Sequence, residues 1–378
     1  MYHLARILPA RPTYLNKPKD LEDDESKWYD ALKFLGTSLS DKVERGPALK
    51  LRGTILSNRI NFVVDNWRKN NAELNDQIIG QPDSAPPRVA TLLRAPGDNP
   101  VPTYLHANRI PTDGCPIEFI AAQRPQTAPV PKAAPNAAVK TMRSMSSALR
   151  SQLHAQVSAQ AVEPTDNSIT FWQTVLNEDV NVIVDLDDMH AKPKDMPYGP
   201  LTDAEKNIDT HTLTLVRAEQ MDRHLRSEQI EARDVNNPAK NILRLHYTAW
   251  PDGHVIEPDA LIGLADRVVA ASNQQGAKVL VHSTHGVGRT GTLITFIAAS
   301  QQIMDLPEAQ RTMSSEKLVH IVRDLVVRGR IERGPGFVDS SHINLIFIAL
   351  LKKHFNGVTG HASDRNGELH LLKQPLEK

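Results

Sequence analysis

The stretch Lys278-Val-Leu-Val-His-Ser-Thr-His-Gly-Val-Gly-Arg-Thr-Gly-Thr292 holds the residue types and spacing most able to do chemistry. An apolar run ends in His282 and Ser283, a turn follows with Gly286 and Gly288, and a helical pattern opens near Arg289, Thr290 and Gly291. Glycines let successive backbone N–H groups turn into one concavity. A helix N-terminus adds positive potential there. Thr284, His285, Gly286, Val287 and Gly288 therefore frame a seat for a phosphate or similar oxyanion. Arg289 supplies a planar two-pronged clamp for two of its oxygens.

Other readings of these glycines fare worse. Gly286-Val-Gly288-Arg-Thr-Gly291 matches the dinucleotide-binding G-x-G-x-x-G. That fingerprint requires a second parallel strand after the helix, whereas Thr290–Met304 leads into another helical pattern, and Arg289 would crowd a pyrophosphate. A nucleotide P-loop needs a lysine that is missing, and a G-x-S-x-G elbow fails because Val281 and His285 flank Ser283 at the glycine positions.

Short β-branched runs at Val180–Leu186, Thr212–Val216, Ile242–Tyr247 and Lys278–His282 read as strands. Helical patterns cover about Pro258–Ser272, Thr290–Met304, Ser315–Val327 and Ser341–Phe355. The mixture predicts an α/β fold, a sheet flanked by helices. Residues 1–45 carry Trp28, Leu32 and Leu35 at helical spacing and read as a helical extension. A proline-rich and then Ser/Ala/Gln-rich segment at about 124–167 reads as an insertion into a domain spanning 46–356, and 357–378 as a polar, glycine-containing tail.

Composition narrows the class. The 378 residues balance 44 Lys+Arg against 44 Asp+Glu, which argues against a globally basic nucleic-acid binder. One cysteine cannot make an intrachain disulfide. No apolar run approaches the roughly 18 residues of a membrane span, and the first residues lack a signal-peptide pattern. The histidines do not cluster at metal-ligand spacing. Together these predict a cytoplasmic protein without metal or cofactor.

His282-Ser283-Thr-His-Gly-Val-Gly-Arg289-Thr290-Gly291 resembles the loop H-C-x5-R-[ST]-G of the protein tyrosine phosphatases, with serine where the cysteine belongs. Tyr247-Thr-Ala-Trp250-Pro-Asp252 resembles the family's mobile acid-bearing loop. Further similarity runs through Tyr104–Ile110, Phe119–Gln123, Phe171–Val184 and Gly336-Phe-Val-Asp339. The resemblance implies a twisted mixed sheet between helices and a phosphotyrosine protein or peptide as partner. The lysines common in lipid- and inositol-directed relatives are missing from the loop. The divergent pattern and the insertion also resemble phosphatase effectors that bacterial pathogens deliver into host cytosol.

By this resemblance a thiolate attacks phosphorus and the resulting phosphocysteine is hydrolysed. Asp252 is the proton donor and later base, Arg289 and the loop N–H groups hold the oxygens, Thr290 contacts the nucleophile, and His282 orders the loop from behind. Ser283 breaks the scheme, because a hydroxyl has none of a thiol's acidity. The expectation is a chain that binds phosphate esters and hardly cleaves them, or else a natural pseudophosphatase. Substrate-side candidates are Trp250 and two further departures: Ile60 stands for a ring-stacking tyrosine and Asp339 for a water-positioning glutamine. Cys115, with Ala121 six residues on, reads as an ordinary buried thiol.

Overall fold

The computed structural model describes residues 56–58, 60–65, 107–125, 168–187, 198–200, 205–208, 211–234, 237–272, 277–306, 312–334, 336–355 and 368–370. The expected helical extension (1–45), nearly all of the insertion (124–167) and most of the tail (357–378) lie outside them.

Eight strands form one mixed sheet in the order β1-β2-β8-β3-β7-β6-β5-β4. They are β1 (Ala107–Ile110), β2 (Glu118–Gln123), β3 (Val182–Asp185), β4 (Glu205–Ile208), β5 (His211–Gln220), β6 (Leu225–Asp234), β7 (Asn237–Tyr247) and β8 (Lys278–Ser283). The four central strands β2, β8, β3 and β7 are parallel, while β1 and the β6-β5-β4 extension are antiparallel. A separate ribbon pairs β9 (Thr312–Ser314) with β10 (Glu368–His370). The helices are α1 (Ser168–Asn177), α2 (Pro258–Ala271), α3 (Gly288–Met304), α4 (Ser315–Arg333) and α5 (Ser340–His354).

Parallel strands covered on both faces must be apolar on both faces, which is why Val182-Ile-Val184 and Val279-Leu-Val281 read as continuous runs rather than alternations. Val182, Val184, Val279 and Val281 face the larger core under α2–α5, whereas Ile183 and Leu280 pack with Phe171 and Trp172 of α1 on the other side. Each such side chain contributes about 1.5–3 kcal/mol through its burial. Helix α3 lies against α2, α4 and α5 and is buried on nearly every side, so its sequence is apolar all round instead of striped.

Helix α3 leads into the β9 ribbon and then α4, and β8 lies between β2 and β3, both earlier in the chain. The strand–helix–strand crossover of a dinucleotide fold is therefore not formed at this loop. The strands and helices expected within the described residues appear, whereas the helical extension expected in 1–45 lies outside them. Strand β5 runs well past Val216, and β1, β2, β4, β6 and α1 add to the elements read from periodicity. Among the described residues no helix is long and apolar enough to cross a membrane.

Candidate active site

Strand β8 ends at the centre of the sheet, and its last two side chains point to opposite faces, as a period of two demands. His282 enters the α1 side, against the rings of Phe171 and Tyr198 at 5.6 and 5.3 Å. Ser283 opens the loop that turns into α3, and both sites lie at the carboxyl edge of the parallel strands. At the strand end, Leu186 N–H donates to His282 O and Arg124 N–H to Ser283 O, each bond tying a neighbouring chain to the start of the loop.

Gly286 fixes the path of that loop. Its φ is +66°, and a Cβ there would stand 2.1 Å from the carbonyl oxygen of Ala122, so no other residue fits. Arg333 of α4 ties the loop from below, donating to the carbonyls of Gly286 and His285 and to Asn108 Oδ1. Arg330, one turn earlier, instead ties the segment before α5 to residues 57–61, donating to Ser57, Asn61, Phe337 and Val338. That last bond, 2.6 Å long, holds Val338 at φ 57°, a costly conformation for a β-branched residue.

Around Ser283 several polar groups converge. Gly286 N–H (3.2 Å) and the Thr290 hydroxyl (3.0 Å) both donate to Ser283 Oγ. Arg289 is 2% exposed and fully engaged at its tips. Nη1 donates to Leu186 O and Trp250 O, and Nη2 to Thr284 Oγ1 and Asp252 Oδ1 at 2.7 and 2.8 Å. Its Nε is buried with no hydrogen-bond partner, a donor left over at the loop. Val287 caps the start of α3, and Gly288 and Gly291 pass close to His342 and to Phe337 and Val338.

Trp250 is fully buried, with its ring 5.9 Å from that of His342 and its Nε1–H given to His254 O. The turn at Gly253 (φ +72°) then swings Asp252 over the loop. There its carboxylate divides between Arg289 at 2.8 Å and His285 Nδ1 at 3.5 Å.

Two substrate-side expectations meet a different environment. Ile60 is 1% exposed inside the main core and offers no face to a ligand. Asp339 lies near Gly288 but is occupied. Its Oδ1 caps α5 by accepting from Ser341 and His342 N–H, and its Oδ2 meets His342 Nδ1 at 2.8 Å. Burial opposes its ionisation, yet His342 and Ser341 hold the carboxyl well below the usual range. Cys115 is half-buried, and burial pushes its thiol up, as fits an inert side chain.

Sequence reading missed the network behind the loop. Tyr198 hydroxyl lies 2.5 Å from His282 Nε2 and 3.4 Å from Asp185 Oδ2. Arg244 bridges Asp185 and Glu228 at 2.5 and 2.9 Å. Burial holds His282 down to about 4, so it is neutral near pH 7, and the lasting positive charge beside Asp185 is Arg244. Asp187 Oδ1 accepts from Thr284 at 2.8 Å, linking this network to the loop; burial, then the charge of Asp185, raise its carboxyl. The available signal was a pair of aspartates at the end of an apolar strand, Val-Asp-Leu-Asp187, where charges are buried only with partners.

The model of the protein-tyrosine phosphatase family matches residues 85–326, well over half of the chain. The chain belongs to that family. The match includes Trp250-Pro-Asp252 and the loop His282–Gly291 and stops before Gly336-Phe-Val-Asp339. Mouse receptor-type tyrosine-protein phosphatase alpha is 30% identical over 129 residues, 33% of this chain and 14% of that protein. Mouse tyrosine-protein phosphatase non-receptor type 4 is 26% identical over 159 residues, 41% of this chain and 16% of that protein. The chain thus spans a small part of the length of the relatives it matches. The catalytic domain of human protein tyrosine phosphatase non-receptor type 18 superposes with a TM-score of 0.55 at 16% identity, over 85% of this chain and 99% of that one. Its likeness is one of fold, a twisted mixed sheet between helices.

Proposed function

We propose that this chain is a protein tyrosine phosphatase domain that seats phosphotyrosine in the 284–289 loop and, carrying Ser283, captures substrate with very little turnover. One observation carries the reading: both groups touching Ser283 Oγ donate to it, while Arg289 and Asp252 stand complete around it. Two donors beside a helix N-terminus stabilise a thiolate. They cannot remove a proton from a hydroxyl, and no other hydrogen-bond partner of Ser283 Oγ occurs among the described residues. His282, the nearest imidazole in sequence, points the other way into its contact with Tyr198.

With a cysteine at this position, sulfur attacks phosphorus in line while the P–O bond to the phenol breaks and Asp252 gives that oxygen a proton. Water then attacks the phosphocysteine, and Asp252 takes the water's proton back. Arg289 and the loop N–H groups hold the equatorial oxygens through both steps. Phosphotyrosine as the substrate class is further supported by solved complexes of the fold relative with HER2 phosphopeptides. Placement in the host or bacterial cytoplasm belongs to this same reading.

Specific features favour a second reading, a pseudophosphatase that binds phosphotyrosine as a scaffold. Ile60 is buried in the core and Asp339 is engaged in capping α5, so neither takes the expected role toward the ring or the water. Restoring Ser283→Cys and assaying an aryl phosphate decides between them. A trapped enzyme gains on the order of a million-fold in turnover, by comparison with nucleophile loss in other hydrolases. A folded Ser283→Cys chain without turnover sinks the enzyme reading and leaves the scaffold.

A further inference from the structure

We infer that His285 is a positioning residue for the proton donor, because its Nδ1 lies 3.5 Å from Asp252 Oδ2 while Arg289 holds the other oxygen of the same carboxylate. The assignment rests on the phosphatase reading above.

The geometry of the free site raises a problem that His285 solves. Arg289 Nη2 donates to Asp252 Oδ1 at 2.8 Å, yet a bound phosphate dianion needs that same guanidinium edge. When the phosphate takes the arginine, Asp252 loses its strongest partner and gains a negatively charged neighbour. Of the two side chains that hold the carboxylate here, His285 is the one the phosphate does not need.

Both partners sit on stiff mounts. The His285 carbonyl accepts from Arg333, and the next residue is the sterically locked Gly286. On the other side, His254 Nδ1 lies 2.8 Å from the Asp252 carbonyl and Trp250 donates to His254 O, closing the acid turn on itself. The charged and titratable groups facing His285 are thus Asp252 from the acid loop, with Arg289 beside it and Arg333 below. The imidazole is 65% exposed and the Asp252 side chain 54%, so the pair spans the mouth rather than the floor of the site.

Imidazole suits the leaving-group step. An unprotonated ring nitrogen can accept from the protonated carboxylic acid and hold it in place before the acid donates to the departing phenol oxygen. A lysine ammonium has no acceptor and could not do this.

The test compares Ser283→Cys with the double variants Ser283→Cys/His285→Ala and Ser283→Cys/His285→Gln on two esters. Phenyl phosphate has a poor leaving group that needs the proton; a dinitrophenyl phosphate does not. His285→Ala lowers kcat on the phenyl ester about tenfold, leaves the dinitrophenyl ester within about twofold, and leaves KM for both unchanged. Gln, which both donates and accepts, restores part of the loss. Equal losses on both esters, or a rise in KM alone, overturn the assignment while the phosphatase reading stands. A folded Ser283→Cys chain with no turnover overturns both.

Discussion

Behind Ser283, His282, Tyr198, Asp185 and Arg244 are each less than a tenth exposed and mutually bonded, whereas in front of it Asp252 and His285 lie more than half in solvent. The same kinds of group do different work in the two places. In the rear, each charge lost its water on folding and depends on its partner, so the network fixes the end of β8. At the mouth, water screens the pairs, which are weak and exchangeable, as the proposed anion seat and proton donor require.

The sharpest way to break that contrast is to remove the rear cation. Arg244→Met leaves Asp185 beside the Tyr198 hydroxyl and a neutral His282, and Glu228 with Arg226, both carboxylates still buried. Stability in urea is expected to fall by about 3–5 kcal/mol. A loss below about 1 kcal/mol would mean that the rear pairs are as weakly held as those at the mouth.

Acid probes the same region without mutation. His282 titrates near 4 in the folded protein because burial opposes its charge, and His354, buried beside Ser300, does the same. In the unfolded chain both titrate near 6.5, so between about pH 6.5 and 4 the unfolded state binds more protons. Their contribution is therefore complete above about pH 6.5 and is lost as pH falls toward 4, by roughly 3 kcal/mol for each fully neutral histidine. Asp187, raised by burial and by Asp185, works in the opposite sense and softens the lower end of the slope. Unfolding free energies at pH 7 and pH 5 check this; a flat profile would mean that His282 is not buried neutral.

The mouth was legible in the sequence and the rear was not, for a physical reason. Gly286, Arg289 and Thr290 are local: one turn between one strand and one helix brings them together, and their spacing along the chain is their spacing in space. Trp250-Pro-Asp252 is a second compact signal. The rear draws Asp185 from β3, Arg244 from β7, Glu228 from β6 and Tyr198 from a connection, and sheet order alone makes them neighbours. The fold was legible where apolar residues were dense, in the continuous runs of β3 and β8 and in the long helical segments of α2–α5. Strand β6, Leu-Arg-Ser-Glu-Gln-Ile-Glu-Ala-Arg-Asp234, carries charges because it belongs to the antiparallel extension, where β5 and β6 leave many residues partly or fully exposed.

The smallest expected effect lies at the mouth and completes the contrast. Asp252→Asn removes one charge from a carboxylate that is 54% exposed and shared between Arg289 and His285, so urea stability should change by less than about 0.5 kcal/mol. Ligand affinity should respond instead. In the free protein the Asp252 carboxylate occupies Arg289 Nη2, and an incoming oxyanion must displace it. An amide holds that guanidinium less strongly and repels a dianion less. Tungstate should then bind roughly two- to five-fold more tightly to the Asp252→Asn chain by calorimetry, a gain on the scale of one exposed ion pair. Weaker tungstate binding would show that the carboxylate helps to assemble the anion seat rather than filling it, and that the two sides of Ser283 are coupled more closely than their burial implies.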